Sequence, residues 1–534
     1  FGFGWREFGT AGIRNPAVQS SFKVIQELEL DEFSKGPFSK ILTGPNLINA
    51  VTILQQEAAI TLVIREMQKK INNGNTKGLE EEFVKNIQNN KITIAYDCRL
   101  NGEYFAHILA AAFLRNKIKV NLFDRPGGMP ALVYATSRSN SSYGFLISAS
   151  HSEANYNGFK ASLGNFMSQL DAEGKKIVMD ARDNIDYENI SLDLAKKDFD
   201  ISEILKKEKE NLLWLGTNKL RNNFNYLGTK TKDFYELYYR HVGKRTPLKY
   251  LPDEKRATVN EKKKEIDFLY TAFFGVGATI AGDLPGFFAE KGYCINNNKN
   301  LVVRQTQVMD GRFPGFIMPD PGVVEGWCVN FIDYLIQIGK KDLSNIDEAI
   351  SCLNKKEVCI GTDPDIDRAG MAIPIPKGKN GNIKKLLLIE LKKYIQKTEK
   401  ISEKDGEKVF ESMKKMNDFL LFTANDAWTF MIYHKLKIRE ENNALDKNKT
   451  YIIIKTHVTT PALQRVAQLY QKKGYAVFVV NTYVGFTELA KKSRDLMAIS
   501  KILYNAKDKI ENKESLKKTI FSLENANIEF KKNV

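Results

Sequence analysis

The sequence predicts an α/β protein built from several consecutive domains with mixed, mainly parallel sheets. Short apolar runs rich in β-branched or aromatic residues recur along the chain and end at Gly, Asp or Ser. Segments with helical periodicity, such as 47–68 and 461–472, lie between these runs. Strands that alternate with helices in this way are typical of α/β domains. Because 534 residues are too many for a single hydrophobic core, we expect several domains.

The candidate strands fall in successive regions of the chain, and helix-like segments follow them. They are the runs at 92–96, 119–123, 145–148, 266–270, 358–360, 451–455 and 476–480. In α/β domains the chemistry lies at the carboxyl ends of the strands. The polar residues that follow these runs are therefore the candidates for function.

Composition and charge disfavour several classes of protein. A net charge of +16, from 80 basic and 64 acidic residues, raises a nucleic-acid-binding alternative. The lysines, however, lie in mixed-charge runs such as 206–210 and 261–265, which are typical of solvated helix faces and disfavour that alternative. No window reaches the roughly 18 apolar residues of a membrane helix. Five histidines disfavour a zinc site, and five cysteines without CxxC spacing favour a reduced, cytoplasmic protein.

The first candidate site follows the strand at 145–148. Ser150 lies at the turn after this strand, where its hydroxyl can face a cleft and accept a phosphoryl group. His151 or Lys160 can take the proton or balance the phosphate charge. The turn signal Asn-Gly at 157–158 would fold Lys160 back toward the serine. A polar loop of ordinary turn residues explains the same pattern, and spacing alone does not separate the two interpretations.

The second candidate site is the segment 361–368, which follows another apolar run. Asp363, Asp365 and Asp367 alternate in a tight loop and can converge on one hard cation. An EF-hand would need a closing glutamate that this segment lacks, so Mg²⁺ fits better than Ca²⁺. Arg368 would lie beside the metal as a partner for phosphate. The alternative is a solvated acidic turn.

These two motifs, in this order, resemble the serine loop and the metal loop of the α-D-phosphohexomutases, the phosphoglucomutase/phosphomannomutase family. Other stretches support the resemblance over about residues 8 to 490. At 274–277 a Phe stands where the family usually has a His. The further stretches that resemble family motifs are FGTAGIR at 8–14, YDCR at 96–99, FGVG at 274–277, QVMDGRFP at 307–314 and FTAND at 422–426.

The resemblance implies a heart-shaped protein of four domains with its site in a central cleft. Phosphorylated Ser150 would donate its phosphoryl group to a hexose phosphate, and the resulting bisphosphate would reorient and return the other group. A bisphosphate activator of the glucose 1,6-bisphosphate type would fit this cycle. By analogy, Mg²⁺, one per chain, would be bound by Ser150, Asp363, Asp365 and Asp367. The remaining roles would be general acid/base for Lys160 or His151, and phosphate or substrate binding for Arg14, Arg368 and Thr10.

We predict a domain at 1–225 with the serine loop, one at 226–400 with the metal loop, and a sugar-recognition-like domain at 401–534. The sequence departs from the family in each recognition element. Ser-His-Ser-Glu replaces the usual Ser-His-Asn-Pro at 150–153, and Gly-Phe-Thr at 485–487 lacks the usual lysine. The sugar loop has only a poor match at 513–515, and the C-terminal phosphate-binding domain is not identified. We expect a longer natural reading frame to supply these parts, or else a divergent member that lost them.

The predicted function is that of an isomerase-class enzyme that interconverts hexose 1-phosphate and hexose 6-phosphate, with glucose as the first choice of sugar. The segment 44–49 and the long first domain resemble the phosphoglucomutase branch. One alternative is a phosphomannomutase. Another is a phosphoserine-bearing pseudoenzyme with a regulatory or scaffold role. The sequence leaves the sugar and the oligomeric state open.

Overall fold

A computed structural model describes residues 13–16, 48–76, 81–164, 168–170, 172–185, 199–216, 234–243, 268–279, 308–340, 343–376, 379–397 and 401–506. The strands in these ranges are β1 (Ile13–Pro16), β2 (Lys91–Tyr96), β3 (Lys119–Phe123), β4 (Tyr143–Ile147), β5 (Tyr156–Leu163), β6 (Ser168–Gln169), β7 (Leu212–Leu215), β8 (Phe268–Thr271), β9 (Val358–Thr362), β10 (Ala369–Pro374), β11 (Phe419–Phe422), β12 (Thr450–Thr456) and β13 (Ala476–Thr482).

The helices in the same ranges alternate with the strands, as the sequence pattern predicts. They are α1 (Ala50–Asn72), α2 (Glu81–Gln88), α3 (Gly102–Arg115), α4 (Met129–Arg138), α5 (Ala172–Asp183), α6 (Ile201–Lys207), α7 (Phe234–Gly243), α8 (Val324–Gly339), α9 (Ile346–Asn354), α10 (Lys384–Lys397), α11 (Glu403–Met413), α12 (Ala424–Glu441), α13 (Ala462–Lys472) and α14 (Phe486–Ala506). The predicted α/β class is confirmed.

The first sheet has seven strands in the order β1-β5-β4-β2-β3-β7, with β6 paired to β5. Its central strands are parallel, and β5 runs antiparallel to β4 and β1. Ile94, Leu122 and Phe145 of this sheet are fully buried in one apolar core with residues of α1 and α3. Burial of such side chains contributes roughly 1.5–3 kcal/mol each. This core fixes the strand ends that position the site.

The second and third sheets are smaller. The second has the order β11-β10-β9-β8, and the third consists of the parallel pair β12 and β13. Trp327 and Phe331 of α8 pack in the second core with residues of α9, α10 and α11. The third core is formed by α12 and α13 against β12 and β13. Each sheet therefore has an apolar core of its own.

Parallel and antiparallel pairings are equally frequent among the described strands, at five each. The sheets are mixed, as expected, and two of the antiparallel pairs have a local cause. The segment after β4 returns directly as β5, and the segment after β9 returns as β10. Both candidate loops are thus connections between adjacent antiparallel strands, and a strand follows each of them where the sequence pattern suggested a helix.

None of the helices in the described part of the chain combines the length and the hydropathy that a membrane crossing requires. The first sheet uses strands between Ile13 and Leu215, the second between Phe268 and Phe422, and the third between Thr450 and Thr482. The domain limits at 225 and 400 stay predictions. Since α11 and β11 pack with the second sheet, we propose to place the second limit after Phe422.

Candidate active site

Ser150 lies in the loop between β4 and β5, which we call the serine loop (residues 148–155). Its backbone adopts a left-handed conformation with φ of 56°, which non-glycine residues seldom adopt. The side chain is buried, and its hydroxyl donates to Asp363 Oδ2 over 2.7 Å. His151 Nδ1 lies 3.3 Å from the same Oγ. The loop therefore aims the serine hydroxyl at the acidic segment of the second sheet.

Ser148 connects the same two segments, and it is a residue that the sequence reasoning did not single out. Its Oγ accepts the backbone N–H of Ser150 over 2.8 Å and donates to Asp365 Oδ2 over 2.9 Å. The side chain is fully buried. The Ser-Ala-Ser spacing is the sequence signal for the first of these contacts, whereas the acceptor of the second, Asp365, is 217 residues away.

Gly158 allows the strands beside the serine loop to approach closely. A Cβ at this position would lie 2.4 Å from the Ser148 carbonyl oxygen and 2.5 Å from the Ile13 carbonyl oxygen. This approach pairs β1 with β5, with Arg14 opposite Gly158. Arg14 Nη1 reaches Ser152 Oγ at 3.5 Å. Burial lowers the pKa of Arg14, although the aspartates of the acidic segment oppose this effect.

Asp363, Asp365 and Asp367 form the acidic loop (residues 363–368) between β9 and β10. Each offers a carboxylate oxygen, and the three oxygens lie within 4.8 Å of one another. Asp363 and Asp365 are fully buried, so the alternative of a solvated acidic turn is wrong. Burial and the two neighbouring carboxylates raise the pKa of Asp363 well above its usual range.

Lys160 projects from β5 into the acidic loop. Its Nζ lies 2.5 Å from Asp365 Oδ2 and 3.0 Å from Asp367 Oδ2, and its side chain is fully buried. The charges of the partners favour the ionised forms of Lys160 and Asp365 and are opposed by burial. The ion pairs outweigh it, so the pKa of Lys160 is raised and that of Asp365 lies well below its usual range. Asp365 Oδ1 is buried and has no hydrogen-bond partner among the described residues.

Asp320, at the loop before α8, joins His151 to Arg368. Its Oδ2 accepts from Arg368 Nη1 over 3.1 Å and lies 3.8 Å from His151 Nε2. Burial and the charge of Arg368 lower the pKa of His151 to about 4, so its ring is neutral near pH 7. The sequence reasoning missed Asp320. Its position between two prolines, at 319–321, is the sequence feature that could have drawn attention to it.

Arg99, which follows β2, was also not named as a site residue. Its two Nη atoms donate to four backbone carbonyls of residues 150–156, at 2.6 to 2.8 Å. The YDCR stretch at 96–99 could have drawn attention to this arginine, but nothing in the stretch indicates which loop the arginine binds.

The structure brings together most of the predicted site residues. They are Ser150, His151, Lys160, Asp363, Asp365, Asp367, Arg14 and Arg368. Thr10 and the stretch at 513–515 lie outside the described residues. The assembled groups are a buried hydroxyl, an adjacent neutral imidazole, three carboxylates and several cations. Such a set suits the transfer of an anionic group to and from the serine oxygen.

Comparison with known proteins gives one consistent family. A model described as "Phosphoglucomutase/phosphomannomutase, alpha/beta/alpha domain I" matches residues 63–187. A phosphoglucomutase of Staphylococcus aureus (strain N315) is 24% identical over 292 residues, which cover 54% of this chain and 41% of that protein. A second one, from strain USA300, is 25% identical over 293 residues, covering 54% and 41%. The chain thus spans about two-fifths of the length of these curated relatives.

Among solved structures, a Thermus thermophilus protein described as a phosphomannomutase has a TM-score of 0.48 and 16% identity, covering 92% of this chain and 72% of that chain. A phosphoglucomutase/phosphomannomutase family protein of Burkholderia thailandensis has a TM-score of 0.45 and 15% identity, covering 85% and 66%. Both TM-scores lie below 0.5.

Proposed function

We propose that this chain, which belongs to the α-D-phosphohexomutase family, moves a phosphoryl group between O1 and O6 of a hexose phosphate through Ser150. The observation that carries the proposal is the 2.7 Å contact from the Ser150 hydroxyl to Asp363, within a buried set of three carboxylates and Lys160. Glucose is the proposed sugar, because the curated relatives are named phosphoglucomutases. The proposed enzyme is an isomerase that acts by phosphoryl transfer.

The acidic loop fits a magnesium ion. Three carboxylate oxygens lie within 4.8 Å of one another, and within the part of the chain that the structure describes the buried Asp365 Oδ1 has no hydrogen-bond partner. Hard oxygen ligands of this kind suit Mg²⁺. We propose that Asp363, Asp365 and Asp367 would hold it together with a phosphate oxygen on Ser150. When bound, Mg²⁺ would offset the negative charge on the oxygens of the transferring group.

The proposed cycle moves two protons and leaves the protein unchanged. A sugar hydroxyl attacks the phosphorus on Ser150, its O–P bond forms as the Oγ–P bond breaks, and the hydroxyl proton passes to a base. After the bisphosphate turns, Ser150 Oγ attacks the other phosphorus, and the sugar oxygen that leaves takes a proton. In the first transfer we assign acceptance of the sugar proton to His151, whose Nδ1 is 3.3 Å from Oγ, and donation of a proton to the departing Oγ to the ammonium group of Lys160. In the second transfer Oγ returns its proton to Lys160 and His151 returns its proton to the sugar oxygen that leaves, so both side chains end the cycle as they began it.

The cations on both sides of the serine loop would bind phosphate. Arg14 lies beside Ser152, and Arg368 is held by Asp320 next to His151. Their guanidinium groups can form charge-assisted hydrogen bonds to phosphate oxygens, each worth about 1.5–3 kcal/mol. Thr10 remains a proposed member of this group. The cytoplasmic location is likewise proposed from the cysteines, since Cys98, Cys328, Cys352 and Cys359 are free thiols.

The proposal predicts phosphate on Ser150 and turnover that depends on it. Wild-type protein incubated with glucose 1,6-bisphosphate and Mg²⁺ should gain one phosphoryl group by intact mass, and peptide mapping should place it on Ser150. Ser150→Ala should lose both the phosphate and the conversion of glucose 1-phosphate, followed by ³¹P NMR, because it removes the hydroxyl that faces Asp363.

Ser152→Ala serves as the matched control, since Ser152 lies in the same loop and should leave the phosphorylation intact. Phosphate elsewhere in the chain together with full activity in Ser150→Ala would contradict the proposal. A phosphorylated wild-type protein without turnover would favour the pseudoenzyme alternative. Faster conversion of mannose 1-phosphate would favour a phosphomannomutase.

A further inference from the structure

Arg99 makes contacts that the proposed reaction does not use. Its guanidinium is fully buried, whereas charged side chains of proteins usually reach water. Nη2 donates to the carbonyl oxygens of Ser150 and Ser152, each over 2.6 Å. Nη1 donates to the carbonyl oxygens of Glu153 and Tyr156 over 2.7 and 2.8 Å. All four Nη hydrogens thus bind the backbone of one segment, which extends from the serine loop into β5.

Two further contacts hold the guanidinium in place. Asp97 Oδ1 accepts the backbone N–H of Arg99 over 2.9 Å, and Asp97 Oδ2 lies 3.4 Å from Arg99 Nε. On the other side, the guanidinium carbon lies 4.8 Å from the centre of the Phe313 ring, a cation–π contact. Phe313 belongs to the segment that leads to the second core. Arg99 therefore contacts both the serine loop and a segment beyond the first sheet.

The second segment approaches Arg99 through a glycine. A Cβ at Gly311 would lie 2.4 Å from the Cys98 carbonyl oxygen and 2.7 Å from Arg99 Cα. Only glycine permits this distance, so the backbone of residues 310–313 packs directly on the turn that carries Arg99. The arginine is thereby enclosed on the side opposite the serine loop.

We propose that Arg99 is a positioning residue that sets the shape of the serine loop and hence the direction of the Ser150 hydroxyl. Ser150 needs support because its left-handed conformation, with φ of 56°, is unfavourable for a serine. Carbonyl oxygens that point toward one another repel, and a buried fork of N–H donors compensates for this. The catalytic part of this inference rests on the proposed function, whereas the ordering of the loop does not.

The test compares Arg99→Met, Arg99→Lys and the control Arg312→Met. Lysine has three donors on one nitrogen and cannot serve four carbonyls, so it should restore only part of the effect. Arg312 is an arginine of the neighbouring 310–313 segment whose side chain is 74% exposed, which makes it a matched control. Hydrogen–deuterium exchange of peptides covering 150–156 is the first readout. It should accelerate at least about 10-fold in Arg99→Met, less in Arg99→Lys, and not in Arg312→Met, since loss of these bonds opens the loop locally.

Kinetics with glucose 1-phosphate is the second readout. A misplaced nucleophile should lower kcat about 100-fold while KM changes little, because a shift of about 1 Å costs roughly that factor. Guanidinium ion added to an Arg99→Ala variant should recover part of the rate, which a general loss of folding would not predict. Unchanged exchange and unchanged kcat in folded Arg99→Met would overturn the inference. If wild type takes no phosphate on Ser150, the proposed function fails, and the exchange data still decide the role of Arg99.

Discussion

The pKa of a buried carboxyl group in this protein depends on whether a cation faces it. Asp365 is fully buried and has a pKa well below its usual range because Lys160 outweighs the cost of burial. Glu57 of α1 is also buried, but it accepts hydrogen bonds from the neutral groups Thr61 Oγ1 and Asn116 Nδ2. Burial dominates there, although these bonds and Arg115 oppose it, and the pKa of Glu57 rises to about 7. Its ionised form therefore costs stability.

Glu57→Gln should change how the stability depends on pH. The native pKa of about 7 exceeds the usual value of 4.5, so the folded state binds the proton more tightly than the unfolded state. The wild type should therefore lose stability as the pH rises from about 4.5 to 7, by about 3 kcal/mol in total. Glutamine keeps the acceptor Oε1 without a charge, so the variant should lack this loss.

Urea unfolding of wild type and variant at pH 5 and pH 8 measures this effect. The free energy of unfolding of Glu57→Gln, relative to that of the wild type, should be higher at pH 8 than at pH 5. Glu66→Gln, on the same helix at an exposed position, is the control and should run parallel to wild type. If the difference in free energy of unfolding between variant and wild type is the same at both pH values, Glu57 is ionised in the folded state as readily as in the unfolded state.

The elements around the site are held by a contact between a helix start and the acidic loop. Met129 begins α4, and its backbone N–H donates to the Asp365 carbonyl oxygen over 2.9 Å. Gly128 precedes it, and a Cβ there would lie 2.6 Å from that same oxygen. On the other face of the loop, the Val276 N–H donates to the Pro364 carbonyl oxygen over 2.9 Å. The acidic loop is therefore clamped between segments of the first and second sheets.

Gly128→Ala should displace the acidic loop, because backbone atoms cannot yield as a flexible side chain does. We expect a stability loss of about 1–3 kcal/mol, typical of overpacking, and a larger proportional loss in kcat/KM for hexose phosphate. Chemical denaturation and the mutase assay measure the two effects. Gly339→Ala, where a Cβ would meet atoms only at 3.6 Å, is the matched control. Equal losses of stability and of kcat/KM in Gly128→Ala and Gly339→Ala would show that the contact between Gly128 and the acidic loop does not hold the loop in place.

The elements also show what the sequence could predict. The apolar runs at 92–96, 119–123 and 145–148 form β2, β3 and β4. These strands are parallel and buried, and helices connect them, which is the arrangement that continuous apolar runs between helical segments predict. The resemblance to family motifs pointed to Ser150 and the three aspartates, and the structure brings these side chains together. Ser148, Asp320 and Arg99 were not predicted, because the contacts that define their roles join segments 217, 48 and 51–57 residues apart. Only folding brings those atoms within reach.

At the scale of the whole molecule, buried polar contacts join the first and second sheets across the site. Ser148 and Ser150 bind Asp365 and Asp363, and Lys160 pairs with Asp365 and Asp367. Every one of these donors comes from the first sheet or its loop, and every acceptor comes from the acidic loop of the second. The catalytic groups that we propose are therefore also contacts that hold the two sheets together.

This arrangement predicts strong coupling between Lys160 and its two carboxylates. Asp365→Asn with Asp367→Asn leaves the buried cation Lys160 without the two carboxylates that it pairs with, which should cost about 3–5 kcal/mol of stability. Lys160→Met alone leaves three clustered carboxylates and should cost a similar amount. The triple variant removes both problems and should regain most of the loss. Urea unfolding in the presence of a chelator gives the interaction energy from the four proteins.

The exposed pair Lys176–Asp180, at 2.8 Å, provides the comparison for this cycle. Asp180→Asn should leave the stability nearly unchanged, since solvent screens exposed ion pairs. If the double asparagine variant proves as stable as wild type, the buried pairs do not hold the two sheets together. Additive losses in the triple variant would show instead that Lys160 and the carboxylates act independently. Recovery in the triple variant, with turnover still absent, would separate the structural role of these charges from their role in phosphoryl transfer.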